Sequence, residues 1–184
     1  FNKKLNNFKI SNLNQKINFL KKFKIDFIII KKFNKKFSKI NYLNFIDHVL
    51  FKKLSPNYIF VSNNFRFGNK REGNVKKLKQ LEKNYNFKII NPSPLKKKKK
   101  KISSTLIRKL ISNGKIKIVN KYLGRNWSIS GTVKVGRKMG RQIGFPTCNI
   151  ELNDYVIAKR GVYAVNVLLK DNKKLFNGIA NIGY

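Results

Sequence analysis

The rhythm of apolar residues changes once along this chain, near Trp127, and that change limits the folds open to it. Before it, apolar residues recur at helical spacing. Leu13, Ile17 and Leu20 predict a helix over residues 12–23, Leu43, Ile46, Val49 and Leu50 a second over 41–54, and Val75, Leu78 and Leu81 a third over 74–84. Between them lie short apolar runs suited to strands: IDFIII (25–30), YIFV (58–61) and FKII (87–90). Helix and strand in alternation predict an α/β layered domain with a parallel sheet. NPSP (91–94) then breaks the order, and Lys96 to Lys101 repel one another, which predicts a solvated loop. SSTLIRKLI restarts a helix with Ser103 or Ser104 as its cap and Leu106, Ile107, Leu110 and Ile111 as its apolar face. A further short helix ends at Gly124.

After Trp127 the period is two. Ile129, Gly131, Val133 and Val135 share one face, as do Tyr163, Val165, Val167 and Leu169, and residues 175–182 are also strand-like. The run around Tyr163 is apolar on its other face too, apart from Asn166, so it is expected to be well buried. The region predicts antiparallel, barrel-like structure, with a domain boundary near residues 124–127.

Lys+Arg number 43 and Asp+Glu 7, a formal charge of +36. Such a balance points to nucleic acid or an anionic surface. The charge is spread along the whole length, however, and the apolar set leans on Phe and Ile as the polar set leans on Lys and Asn. That pattern fits compositional drift, so neither a specific nucleic acid nor a membrane is expected as partner. One cysteine excludes an intrachain disulfide and any Cys-based zinc site, and the single histidine, His48, excludes paired-histidine chemistry within the chain. No stretch has the length of a membrane span and no signal peptide opens the chain, so the expected compartment is the cytoplasm. The chain opens on Phe1, has Met139 as its only methionine and stops at Tyr184 just after a strand-like run, so it is expected to be a piece of a longer protein.

Two segments have the make-up of phosphate sites. FRFGNKREG (65–73) follows a predicted strand, where open α/β sheets bind ligands, and ISSTLIR (102–108) opens a helix. Free amides there, the hydroxyls of Ser103, Ser104 and Thr105, and the Arg108 guanidinium suit a triphosphate. The same residues read equally well as a plain cap and a surface charge. The second segment, VKVGRKMGRQIGFPTCN (133–149), carries Gly136, Gly140 and Gly144 after a predicted strand. It fits neither the nucleotide-kinase P-loop nor the dinucleotide fingerprint. Thr147 and Asn149, two apart in extended chain, face one side and offer oxygens suited to Mg2+ bridging to phosphate. A rigid barrel turn without ligand explains the segment as well.

Four segments in order carry a resemblance: FVSNNFRFGNKREGNVKKLKQL (60–81), ISSTLIRKLI (102–111), SISGTVKVGRKMGRQIGFPTCNI (128–150) and GVYAVNVL with FNGIANIG (161–183). NYLNFIDHVL (41–50) fits as well. Together they resemble the bacterial bifunctional riboflavin kinase/FMN adenylyltransferase (FAD synthetase) family, as a fragment lacking both termini. The resemblance implies an incomplete α/β Rossmann-like nucleotidyltransferase domain, residues 1–124, followed by an incomplete antiparallel β-barrel riboflavin kinase domain, residues 125–184. It implies phosphorylation of riboflavin to FMN and adenylyl transfer from ATP to FMN, with ATP, Mg2+ and the flavins riboflavin and FMN bound. Asn64, Phe65, Phe67 and Gly68 would line the flavin and nucleotide pocket, and Ser104, Thr105 and Arg108 would hold phosphates. Gly136, Gly140, Arg141 and Gly144 would lie over ATP, and Thr147 and Asn149 would hold Mg2+.

The family's catalytic groups, a histidine-glycine-histidine loop and a kinase glutamate, have no counterpart in this sequence, and His48 lies in a predicted helix. The family usually has Gly and Asp where this chain has Ser62 and Asn64, and Ala where it has Cys148. Two other readings remain: a single-activity nucleotidyltransferase with a degenerate barrel, and a basic nucleic-acid-binding protein. The fragment alone is expected to be inactive.

Overall fold

The computed structural model describes residues 7–97, 100–136, 139–142, 144–169 and 174–183. Its contacts divide the chain into two compact units. One takes the described residues up to Asp26 together with those from Ile102 onward; the other is Phe27–Lys101.

In the second unit, α2 (Lys35–Ser38) precedes a long helical stretch. That stretch runs from α3 (Tyr42–Asn44) through a π-helical segment, Phe45–Phe51, into α4 (Lys52–Leu54), with Ser55 ending it in the left-handed region. Strand β1 (Tyr58–Phe60), the β2–β3 hairpin (Arg66–Phe67 with Gly73–Asn74), helices α5 (Val75–Gln80) and α6 (Glu82–Tyr85) and strand β4 (Lys88–Ile90) follow. β1 and β4 pair in parallel, Tyr58 opposite Lys88 and Phe60 opposite Ile90, as the alternating helix and strand pattern predicts. Ile46, Phe67, Leu78 and Phe87 form the buried core.

Among the described residues the parallel sheet has two strands. IDFIII forms no strand: Phe27, Ile29 and Ile30 are exposed and the run is extended without a ladder partner. A strand exists only through its neighbour's hydrogen bonds, so an apolar run lacking one stays an irregular segment. The lysine run differs from its expected loop as well, since β5 (Lys96–Lys97) pairs antiparallel with β6 (Lys100–Lys101). Residues 98 and 99 of that run lie outside the described residues.

In the first unit, α1 (Leu13–Lys21) opens on a full capping box, in which the Asn12 side chain accepts from the Gln15 amide and Gln15 reaches back to the Asn12 amide. Helix α7 (Ser104–Ser112) is capped by Ser103, whose hydroxyl accepts from the Leu106 amide, and α8 (Ile116–Leu123) ends at left-handed Gly124. Ile107, Ile111 and Val119 from these helices pack with Val156 and Ala158. Each fully buried aliphatic side chain here stabilises the unit by about 1.5–3 kcal/mol. Then come β7 (Val133–Lys134), α9 (Met139–Gln142), β8 (Asn149–Ile150), β9 (Gly161–Leu168) and β10 (Leu175–Ile182).

The expected barrel does not form among the described residues. β7 pairs only with β8, and β9 only with β10, all antiparallel. Closure needs a continuous ladder of consistent stagger from strand to strand. Residues 152–158, which would have to carry the ladder from β8 towards β9, are drawn onto the helices instead. The Lys9 amide donates to the Asp154 carbonyl, the Val156 amide donates to the Lys9 carbonyl, and Tyr155, Val156 and Ala158 are buried. The hairpin β9–β10 is consequently open on much of both faces. Val162 and Ile179 are exposed and only Tyr163 and Val165 of the β9 run are half-buried, against the expectation of burial.

Candidate functional site

The first predicted site falls in two different units. Asn64 is exposed and accepts from the Ser62 hydroxyl at 3.0 Å. Phe65 stacks on Phe67 at 5.4 Å between ring centroids, and Phe67 is buried against Phe45 and Tyr42. Phe67 thus serves the core. Gly68 has φ +76°, and a Cβ there would stand 2.8 Å from the Tyr42 backbone, so this turn admits only glycine. In the other unit, Ser104 and Thr105 are exposed on the first turn of α7. Arg108 is partly committed: its Nε donates to the Phe8 carbonyl at 2.7 Å and its guanidinium lies over the Phe8 ring.

The second predicted site is brought together. β7 and β8 place Lys134 opposite Asn149 and Val133 opposite Ile150. A Cβ on Gly136 would run into the Asn149 amide nitrogen, and one on Gly140 would run into the Phe145 carbonyl and come within 3.0 Å of Thr147 Cγ2. The Thr147 methyl therefore lies beside Gly140 and the Asn149 amide beside Gly136. The Phe145 amide donates to the Gly140 carbonyl at 2.7 Å, closing the turn, and Gly144 has φ +82°. Arg141 is exposed, and its carbonyl accepts from the Gly144 amide. Residues 137, 138 and 143 of this loop lie outside the described residues.

Thr147 and Asn149 are exposed, and neither side chain makes a hydrogen bond among the described residues. Their oxygens are hard, neutral donors of the class Mg2+ accepts, and a pair of them without a carboxylate holds Mg2+ only when phosphate oxygens complete the shell. The described residues contain no cluster of three or more His, Cys, Asp or Glu that would hold a metal on its own. His48 stands apart from all this, in the π-helical segment, with its Nδ1 3.1 Å from Asp47.

Against family models, residues 1–106 match FAD synthetase and residues 123–184 match riboflavin kinase. The chain belongs to the bacterial bifunctional riboflavin kinase/FMN adenylyltransferase family. The bifunctional riboflavin kinase/FMN adenylyltransferase of Buchnera aphidicola from Schizaphis graminum is 45% identical over 176 residues, 95% of this chain and 56% of that protein. The protein of the same name from Buchnera aphidicola of Acyrthosiphon pisum is 42% identical, again over 95% of this chain and 56% of its own length. A solved structure named as a macrolide-efflux protein from Streptococcus pneumoniae superposes with a TM-score of 0.79 at 28% identity, covering 95% of this chain and 55% of that one. The chain thus spans about half the length of the curated relatives it matches.

Within the bifunctional riboflavin kinase/FMN adenylyltransferase family, the glycine segment and Thr147 and Asn149 lie inside the riboflavin kinase match. Ser104 and Thr105 lie inside the FAD synthetase match, and Arg108 lies two positions beyond it. No helix among the described residues is long and apolar enough to cross a membrane.

Residue spacing did not single out the polar cluster around Tyr155, which is 5% exposed and joins Gln15 and Ser130. One signal pointed there. Asn12 followed three residues later by Gln15 is a capping pattern, and a Gln so placed has a free amide end to offer a neighbour.

Proposed function

We propose that this chain is part of an enzyme that makes FMN and FAD from riboflavin and ATP, with residues 125–184 belonging to the kinase and residues 1–124 to the adenylyltransferase. The observation that carries this reading is the convergence of Thr147 and Asn149 on Gly136 and Gly140. Glycines that leave no room for a Cβ let backbone approach a polyanion, and the side chains of Thr147, through its methyl, and Asn149, through its amide, lie against that backbone with their polar oxygens still exposed to a ligand.

In the kinase step a ribityl hydroxyl of riboflavin attacks the γ-phosphate of ATP, the bond to the β-phosphate breaks and ADP leaves with FMN formed. Phosphoryl transfer asks the protein mainly to position groups and offset charge. Thr147 Oγ1 and Asn149 Oδ1 would hold Mg2+, which would supply positive charge to the phosphates. The described part of the glycine segment, with Arg141, would lie over ATP. In the adenylyl transfer the FMN phosphate attacks the α-phosphate of ATP and pyrophosphate leaves. Ser104 and Thr105 offer hydroxyls and first-turn amides of α7 to the phosphates. Arg108 adds its two Nη groups, since only its Nε is taken by Phe8. Asn64, Phe65, Phe67 and Gly68 shape the flavin and nucleotide pocket, Phe67 and Gly68 by holding the turn from within.

The test uses the full-length parent. Incubated with riboflavin, ATP and Mg2+, it is expected to yield FMN and then FAD by chromatography, while the 184-residue chain, half the length of its relatives, yields neither. Absence of both products from the parent refutes the reading. FAD from supplied FMN without any FMN from riboflavin leaves the single-activity nucleotidyltransferase.

Arg108→Ala in the parent is expected to weaken adenylyl transfer about tenfold or more and to spare riboflavin phosphorylation. Assaying both half-reactions on the same preparation checks it. Equal loss in both would mean that Arg108 acts only by anchoring Phe8.

A further inference from the structure

The strand that carries Lys134 toward Asn149 is rooted in a hydrogen-bond circuit supplied by a distant part of the chain. Asn12 Nδ2 donates to Ser130 Oγ at 2.8 Å. Tyr155 Oη donates to Gln15 Oε1 at 2.9 Å. That donation uses the phenol's only proton, so at the 3.2 Å contact between the two hydroxyls Ser130 is the donor, and the Ser130 amide adds a second bond to Tyr155 Oη at 3.3 Å. Gln15 Nε2 donates to Ser128 O and to Ser128 Oγ, both at 3.1 Å. Around the circuit, Trp127 Nε1 donates to the Ile10 carbonyl at 3.0 Å. Arg125 donates to the buried Ser11 hydroxyl and lies over the Phe19 ring at 3.8 Å. Burial lowers the pKa of that guanidinium, which remains charged.

The circuit has a direct line to the glycine segment. Ser130 is followed by Gly131, where a Cβ would stand 2.8 Å from Ile150 Cγ2, and two residues later Val133 pairs with Ile150 and Lys134 with Asn149. That ladder is only two residues long on each side, too short to fix its own register. Asn12 and Gln15 lie in the stretch matched by the FAD synthetase model, whereas Ser128, Ser130 and Tyr155 lie in the riboflavin kinase match.

We propose that Asn12, Gln15 and Tyr155 are positioning residues for the glycine-segment site, so that the stretch of chain matching one activity holds the phosphate loop of the other in register. The kinetic consequence rests on the riboflavin kinase reading; the positioning itself does not. Cys148, the single cysteine, is exposed between Thr147 and Asn149 and serves as the reporter.

A nitroxide on Cys148 of the 184-residue chain is followed in Tyr155→Phe, in Gln15→Ala and in Val119→Ala, each held well below its unfolding midpoint. Val119→Ala weakens the same unit through its apolar core without removing a member of the circuit. The label is expected to reorient at least about twofold faster in the first two variants and unchanged in the third. An unchanged spectrum in Tyr155→Phe, or equal loosening in Val119→Ala, overturns the proposal. In the full-length parent, Tyr155→Phe is expected to lower kcat for riboflavin phosphorylation about tenfold with KM little altered, since misplacement of the loop acts on the step and not on uniform binding. A rise in KM with kcat intact overturns the kinetic claim. A wild-type parent that does not phosphorylate riboflavin removes the functional reading, and the label on Cys148 still decides whether the circuit positions the loop.

Discussion

Thr147→Ala and Asn149→Ala in the full-length parent are each expected to slow riboflavin phosphorylation by about 10²–10³-fold, because an oxygen aimed at developing charge counts most in the transition state. Neither should much alter the conversion of supplied FMN to FAD. The thermal midpoint should barely move, since both side chains are exposed and make no hydrogen bond among the described residues. The measurement is paired: both half-reactions for each variant, with unfolding alongside. Near-normal kinase activity, or loss only in step with unfolding, would mean that residues 140–150 are scaffold.

The second large effect is expected from Gly140→Ala. A Cβ there meets the Phe145 carbonyl, which is backbone and already accepts no slack, because the Phe145 amide is bonded back to the Gly140 carbonyl. Relief requires the turn to open, which takes Thr147 away from the glycine segment. Overpacking of this kind costs about 1–3 kcal/mol, and kinase activity should fall at least as far as in Thr147→Ala. Gly136→Ala makes the contrast. Its Cβ meets the amide end of Asn149, which can swing aside, so stability should hold while the displaced oxygen lowers the rate. Thermal unfolding and riboflavin phosphorylation on both variants check the pair; equal stability losses would show that the Asn149 side chain is as fixed as the Phe145 backbone.

Where the sequence was informative, the reason is local. Helix α7 was legible because Ser103 and the spacing of Ile107 and Ile111 specify a cap and a buried stripe without reference to anything far away. β1 and β4 were legible because short apolar runs between helices have few other places to go. IDFIII and the barrel misled for a shared reason. Strand pairing depends on which neighbour arrives, and residues 152–158 found a partner in Lys9 and a place on the α7–α8 core that no local pattern announces. Phe67 was placed correctly in the chain but not in space: its neighbours Tyr42 and Phe45 turn it into core, so its bearing on any ligand is through the shape of the Gly68 turn.

The open hairpin β9–β10 carries a consequence for how these molecules meet one another. Among the described residues each of its strands has one edge with unpaired backbone groups, and Val162 at 71% and Ile179 at 80% exposure flank them with apolar surface. Such an edge is a template for intermolecular pairing, and proteins commonly guard it with charge. Around this edge the sequence carries 43 basic against 7 acidic residues, spread over its whole length. Mutual repulsion of that kind reaches only as far as the ionic atmosphere allows, about 8 Å at physiological salt and about 3 Å at 1 M. With such an edge exposed, the spacing between like-charged molecules would shrink as salt is added, and light scattering of the 184-residue chain across a salt series is expected to show association that grows with ionic strength.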